Sequence, residues 1–187
     1  MMRKLFVAVV VALGTFISFP TVTSAQSTGN VRLLLHSTRQ ISNGGSFSWG
    51  GWVIAPNITA VPNKWLVLTG PRLQGRDWWS EFNLGAFVQG GKITPTIDVR
   101  TSWPFPRPLS FWTNLQWVNP AKVYAYGEVD YQIPGGFVIG LETENNFPVK
   151  SFGPHLKFPF GEAVVQAIYQ FHDGEDQLWF RLVVNFR

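Results

Sequence analysis

From Ala121 to Ile133 the chain alternates without a break. Val123, Ala125, Gly127, Val129, Tyr131 and Ile133 share one face of an extended strand, while Lys122, Tyr124, Tyr126, Glu128, Asp130 and Gln132 share the other. The same split recurs with Phe82, Leu84, Ala86 and Val88 opposite Glu81, Asn83, Gly85 and Gln89, and with Ile93, Ile97 and Val99 opposite Thr96, Asp98 and Arg100. Such period-two segments, near Val31–Gln40, Ser46–Ala55, Lys64–Thr69, Trp78–Gln89, Lys92–Trp103, Leu109–Val118, Ala121–Ile133, Phe137–Glu144, Ser151–Phe158, Ala163–Phe171 and Gln177–Phe186, predict about eleven strands and no helix.

Turn residues separate them. Ser42-Asn43-Gly44-Gly45, Gly90-Gly91, Asn119-Pro120, Pro134-Gly135-Gly136, Pro159-Phe160-Gly161 and Asp173-Gly174-Glu175-Asp176 supply the positive or fixed φ that tight turns require. Connections this short favour antiparallel hairpins in sequence, because Greek-key and parallel returns need more chain. The longer links, Pro56–Asn63, Gly70–Arg76, Pro104–Pro108 and Asn145–Lys150, are read as loops. Pro95 and Pro154 fall inside or at the start of strands, where a missing N–H is tolerated mainly at edges, first positions or bulges.

One sheet of this many strands, with one apolar face and no helix to cover it, must close on itself. The expected fold is therefore all-β, an antiparallel up-and-down meander closing into a β-barrel of about ten to twelve strands. Two such barrels share the pattern. In a soluble barrel the apolar face lines a ligand cavity; in a membrane barrel it faces lipid and the polar face lines the lumen.

Composition narrows the choice. Arg3 and Lys4 precede an apolar run from Leu5 to about Phe19, and Thr23-Ser24-Ala25 suits signal peptidase, so residues 1–25 read as a secretory signal and 26–187 as one domain. The run is short for a spanning helix, and no later apolar stretch approaches 18 residues. Lys and Arg number 15 against 11 Asp and Glu, mixed along the chain instead of clustered, which gives no footprint for nucleic acid. With no cysteine, disulfides and thiol ligands are excluded, and no cofactor is implied.

Nine tryptophans are an excess that asks for a large core, a sugar-binding face or a membrane interface. Trp49, Trp52, Trp65, Trp78, Trp79, Trp103, Trp112, Trp117 and Trp179 tend toward strand ends. Trp49, Trp78, Trp103, Trp117 and Trp179 are the positions expected to form girdles at two bilayer interfaces. Glycine on the polar face, at Gly85, near Gly127 and at Gly140, fits a tightly bent sheet.

The last segment alternates Leu178, Phe180, Leu182, Val184 and Phe186, and it is followed only by Arg187. Here the chain resembles bacterial outer-membrane β-barrel proteins, whose last strand alternates apolar residues and finishes on an aromatic read by the assembly machinery. The resemblance implies an outer-membrane location, with the lipid bilayer and that machinery as partners and Phe186 as the assembly signal. Arg187 departs from the pattern, since the chain does not end on the aromatic.

On the face expected to line the lumen lie Asp98, Arg100, Lys122, Glu128, Asp130, Glu142 and Arg181, with Glu144, His155, Lys157, Gln166, Gln170 and Asn185. In a narrow barrel such groups pair across strands as a structural network, or line a slot for a small solute. Glu81, Glu128 and Glu142 share a face, as glycoside cleavage by paired carboxylates requires, but no glycanase motif surrounds them. His36-Ser37, Ser151 with His155, and His172-Asp173 lack the spacing of a hydrolase motif, and three separated histidines form no ligand cluster in sequence. Arg72 and Arg76, read as loop residues, are placed to meet anionic headgroups.

The leading expectation is a small outer-membrane barrel, structural, adhesive or narrow-pored, and not an enzyme. The alternative is a secreted or periplasmic soluble barrel or sandwich that binds an apolar ligand or carbohydrate. A lipid- or glycan-hydrolysing enzyme carries least support.

Overall fold

A computed structural model of the protein describes residues 30–41, 45–61, 63–105, 108–119, 122–146, 149–172 and 176–186. The expected signal segment and Arg187 lie outside them. The strands are β1 Asn30–Gln40, β2 Phe47–Ala55, β3 Lys64–Gln74, β4 Trp79–Gln89, β5 Lys92–Pro104, β6 Leu109–Asn119, β7 Lys122–Gln132, β8 Val138–Asn146, β9 Val149–Phe160, β10 Ala163–His172 and β11 Gln177–Phe186. Each strand is hydrogen-bonded to its neighbours in sequence, and β11 returns to β1, so eleven strands form one closed barrel. Closure leaves no sheet edge exposed.

The closing pair departs from the antiparallel expectation. An odd number of alternating strands sends the first and last in the same direction, so β1 and β11 pair in parallel, with Leu33 beside Leu182 and Leu35 beside Val184. All ten other pairs are antiparallel. The β4–β5 hairpin turns on Gly90 and Gly91, with φ of 55° and 78°, the two positive values that a two-residue turn matched to strand twist requires.

β3 runs five residues beyond its expected end, to Gln74. Gly70-Pro71 looks like a turn in sequence, but Trp49 pairs with Pro71 and Ser48 with Arg72 as β2–β3 continues. On the other side the β3–β4 ladder skips from Thr69–Leu84 to Arg72–Glu81. Proline therefore sits where one of its two ladders is open. The same Gly-Pro step recurs at Gly153-Pro154, where Leu141 pairs with Pro154 but the β9–β10 ladder skips from His155–Ile168 to Phe152–Phe171. Pro95 follows the same rule, since it pairs with Ala86 and precedes the first β5–β6 pair at Ile97. A closed barrel has no edge strand, so local gaps take the place of edges for proline.

Glycine makes the bends possible. A Cβ on Gly70 would strike the carbonyl oxygen of Phe82, one on Gly85 that of Val67, one on Gly140 that of Val129, and one on Gly153 that of Tyr169. All four face inward, where neighbouring backbones converge. Gly127 takes the outward parity and has only ordinary contacts, with Thr143 Cγ2 at 3.8 Å.

The wall is inside out relative to a soluble protein. Glu81, Asn83 and Asp98 are fully buried in the interior, while Phe82, Leu84, Ile97, Leu115, Val129 and Leu141 are exposed on the outer surface. Phe180 and Leu182 take the same outward parity as Phe186, and Leu182 is packed with Val184, Ala163, Leu33, Leu35 and Val165 along the closing seam. Outward aromatics gather at the two rims. Trp49, Trp103, Phe105, Tyr131, Phe137, Phe160 and Phe186 are exposed toward one end, and Trp65, Trp117, Phe152, Tyr169 and Phe171 toward the other. Trp78 stacks on Trp103 at 5.7 Å and belongs to the first group.

Four tryptophans instead turn inward. Trp52 is buried beneath His36, Trp79 lies under the Arg72 guanidinium, Trp112 packs edge-on against Tyr126, and Trp179 lies under Arg32. For Trp179 this corrects the interface assignment. It shares the parity of Arg181, not that of Leu178 and Phe180, so alternation carries it to the lumen side.

Candidate functional site

Among the described residues the buried charges gather in the interior, and the strand register explains how. With inward positions fixed at every second residue, side chains from neighbouring and facing strands meet in the narrow lumen. Glu81 on β4 is the centre of one group. It accepts hydrogen bonds from Trp52 Nε1 at 2.6 Å and Arg72 Nη1 at 2.9 Å, and lies 2.9 Å from His36 Nε2. His36 stacks on Trp52 with ring centres 3.9 Å apart, and its Nδ1 is 3.1 Å from Asn185 Oδ1. Arg72, expected in a loop, is thus a lumen residue, because β3 continues through Gly70-Pro71; Arg76 is the exposed loop arginine.

Asp98 holds a second group. Arg100 donates from Nε at 2.7 Å, Asn114 from Nδ2 at 2.6 Å and Asn83 from Nδ2 at 3.3 Å. The Arg100 guanidinium lies 4.4 Å from the centre of the Trp52 ring, which links the two groups.

The third and largest group spans β7 to β11 and reaches β1 through Arg32. Arg181 Nη1 donates to the Tyr126 hydroxyl at 2.6 Å and to Gln166 Oε1 at 3.0 Å. That hydroxyl lies within bonding distance of both Glu128 and Glu142. Gln166 and Gln170 donate to Glu142 at 3.0 and 2.9 Å. Lys157 donates to Glu128 and Asp130, and His155 Nε2 lies 2.7 Å from Asp130. Arg32 grips Glu144 with both terminal nitrogens, at 2.7 and 3.2 Å.

The sequence-derived lumen set is therefore placed together at Asp98, Arg100, Glu128, Asp130, Glu142 and Arg181, with Glu144, His155, Lys157, Gln166, Gln170 and Asn185 alongside. Lys122 begins β7 opposite Asn119, and its side chain lies outside the described residues. Pattern reading missed Arg32, His36, Trp52, Arg72 and Asn114 as members. The signal for Arg32 and His36 was present in the alternation of β1, whereas Arg72 was hidden by the apparent turn before it.

Chemically the network is spent on itself. A carboxylate that works as a general base needs a free lone pair and access to substrate, but Glu81, Glu128 and Glu142 are buried, and each meets side-chain donors. His36 and Ser37 are adjacent on one strand and so lie on opposite faces. Ser151 and His155 share a face but are four positions apart, roughly 13 Å along a strand. Of the pair His172-Asp173, the aspartate lies outside the described residues.

Ligand atoms of Glu128, Glu142 and His155 come within 4.8 Å of one another, a cluster that separated histidines did not foretell. Its negative charge is already met by Lys157 on Glu128 and by Arg181 3.4 Å from Glu142. A divalent ion would have to displace these cations, so the donor set fits internal ion pairing better than a metal.

Tyr126 ties this group together, and its hydroxyl has one proton for two carboxylates. Tyr126→Phe removes an acceptor from Arg181 and a donor from the glutamates. It is expected to destabilise the barrel by about 1–3 kcal/mol, read as a lower urea midpoint in a tryptophan-fluorescence titration. A loss below about 0.5 kcal/mol would show that the hydroxyl is dispensable to the network.

The lumen is not polar throughout. Leu34, Trp52, Ile54, Leu66 and Leu68 form a buried apolar cluster on the inward faces of β1 to β3, with Phe87 and Val183 against it. Between this patch and the Arg181–Tyr126 group lies a cavity of about 290 Å³, bordered by Lys64, Arg32 and Pro56 toward the end where β3 begins and by Arg100, Asn114 and Tyr126 deeper in.

These features define a closed, inside-out, eleven-stranded β-barrel with a charge-filled lumen. The chain matches no protein-family model, no curated protein and no solved structure.

Proposed function

We propose that the protein is a small β-barrel of a bacterial outer membrane that spans the bilayer without conducting ions and without catalysing a reaction. The observation that carries this reading is the outer wall. A continuous belt of exposed Phe82, Leu84, Ile97, Leu115, Val129 and Leu141 is flanked at both rims by tryptophan, tyrosine and phenylalanine. Monomeric soluble proteins rarely expose contiguous apolar patches beyond a few hundred Å², while a lipid-facing barrel needs this arrangement. Strand lengths agree. An 11-residue strand such as β4 spans roughly 36 Å, about 27 Å of height at a tilt near 40°, close to the apolar thickness such barrels present.

Non-conduction follows from the lumen. Arg181, Tyr126, Glu142 and Gln166 bridge it from several strands, and Arg100, Asp98, Asn114 and Glu81 occupy the facing side. Among the described residues, these buried pairs stand in the way of an aqueous path for ions. A soluble carrier would need its apolar face inward all round, whereas among the described residues the inward apolar cluster lies on β1 to β3. Phe186, exposed at the end of β11, is in place to be read during assembly.

Depth-dependent charge insertion tests the reading. Leu84→Arg, at the middle of β4, is expected to cost about 2–4 kcal/mol in a bilayer, whereas Leu73→Arg near the rim costs about 0–1 kcal/mol. Both are measured as urea midpoints of the barrel folded into liposomes. Fractionation with the outer membrane and faster gel migration of unheated samples are expected alongside. Equal, near-neutral effects of the two arginines, or recovery in the soluble fraction, would defeat the membrane assignment. Steady single-channel conductance in planar bilayers would defeat the closed lumen.

A further inference from the structure

We infer that the cavity at the β3 end of the barrel is a binding site for a small anionic amphiphile, a medium-chain carboxylate, with its head at Lys64 and its tail against Leu34, Ile54, Leu66 and Phe87. The site lies in the interior, and its test rests on the bilayer reading above, whose failure shows separately as absence of the folded band before binding is measured.

Charge at the mouth sets the sign of the ligand. Two cations stand there, and Arg32 is neutralised by its two-pronged contact with Glu144 and stacked over Trp179. Lys64 is different. Its ammonium lies 5.1 Å from the centre of the Phe87 ring, and among the described residues it has no carboxylate in ion-pair range. The other buried arginines and Lys157 each have a carboxylate partner, so among the described lumen cations Lys64 is the exception. A half-buried cation over an aromatic ring attracts an anion and repels a cation.

The wall behind Lys64 sets the rest of the ligand. A membrane barrel filled only for stability could carry polar groups throughout, yet here Leu34, Ile54 and Leu66 are buried facing a space that side chains leave open. Such an apolar wall gains about 25 cal/mol for each Å² that a hydrocarbon tail takes out of water. The deeper part of the space is bordered by Arg100, Tyr126 and Arg181. The cavity volume of about 290 Å³ lies at the lower end of the range for small-molecule pockets, which suits a single medium-chain carboxylate such as octanoate.

The experiment is equilibrium dialysis of radiolabelled octanoate against the folded full-length barrel in nanodiscs, with empty nanodiscs subtracted, and with octylammonium and octanol as competitors. Saturation at one octanoate per barrel is expected, with neither competitor displacing it at equal concentration. Lys64→Glu is expected to weaken binding at least tenfold, Lys64→Gln by less, and Ile54→Trp, which fills the space, to abolish it. Arg76→Glu, on the exposed loop, is expected to leave binding unchanged. Each variant is first checked for the folded gel band, and Leu66→Phe replaces Ile54→Trp should the latter not fold. Octanoate uptake that does not saturate, that octylammonium matches, or that survives both Lys64→Glu and the cavity-filling variant would overturn the site.

Discussion

Glu81→Ala is expected to cost about 3–5 kcal/mol, the range for removing one partner of a buried ion pair. The side chain is fully buried and meets Trp52, Arg72 and His36 at once, from β2, β3 and β1. Its loss strands the Arg72 guanidinium inside the lumen with Gln74 and the Trp79 ring as its remaining contacts among the described residues, neither of which supplies a countercharge. The Trp52 indole N–H loses its acceptor in the same step. Glu81→Gln keeps the shape and an acceptor oxygen while removing the charge, so a smaller cost of about 1.5–3 kcal/mol is expected. Adding Arg72→Ala to Glu81→Ala should restore part of the loss, because the uncompensated cation goes with it. Urea titrations followed by tryptophan fluorescence and by the gel shift give all three values. A Glu81→Ala barrel within about 1 kcal/mol of the parent would mean that the network is not what holds β1 to β4 together.

Gly153→Ala is expected to prevent the barrel from forming. The added methyl would overlap the Tyr169 carbonyl oxygen and crowd the Gln170 Cα across the β9–β10 ladder. Side-chain overpacking typically costs about 1–3 kcal/mol because rotamers can adjust. Here the obstruction is main chain on the neighbouring strand, and no rotamer relieves it. The strands must part at a point where the ladder already skips from His155–Ile168 to Phe152–Phe171. Gly127→Ala is the matched control. Gly127 faces outward with its nearest neighbour in ordinary contact, so alanine there is expected to be neutral or to stabilise by about 0.4–1 kcal/mol through the unfolded chain. The folded band on an unheated gel separates the two outcomes. A normal band for Gly153→Ala would show that the strands can separate at the Gly-Pro step without loss of closure.

Several parts of this architecture are legible in the chain because they follow from two-residue periodicity. The eleven segments read from alternation match the eleven strands, most boundaries falling within two residues, and the lumen positions from Asp98 to Arg181 follow from parity. Where local rules competed, the reading slipped. Gly70-Pro71 has the composition of a turn, and only the neighbouring strands show that it is a kink with one ladder open, which carries Arg72 into the lumen. Trp179 shows the opposite lapse. Its inward parity stood in the sequence, but its place near a strand end suggested the interface.

The partners within the lumen were beyond any local reading. His36 and Glu81 are 45 positions apart, Tyr126 and Arg181 are 55, and Arg32 and Glu144 are 112. Alternation fixes which way a side chain points but not which strand faces it across the barrel. Strand number, stagger and the bends at Gly70 and Gly153 decide that together.

The sequence by itself determined an all-β meander with one apolar and one polar face, because side chains on a strand can point only to two sides. Tertiary structure alone decided that the polar face is the inside, that the odd strand count closes β11 on β1 in parallel, and that the inward faces of β1 to β3 keep an apolar wall beside Lys64, which has no carboxylate in ion-pair range among the described residues. These depend on closure, and closure is a property of all eleven strands at once.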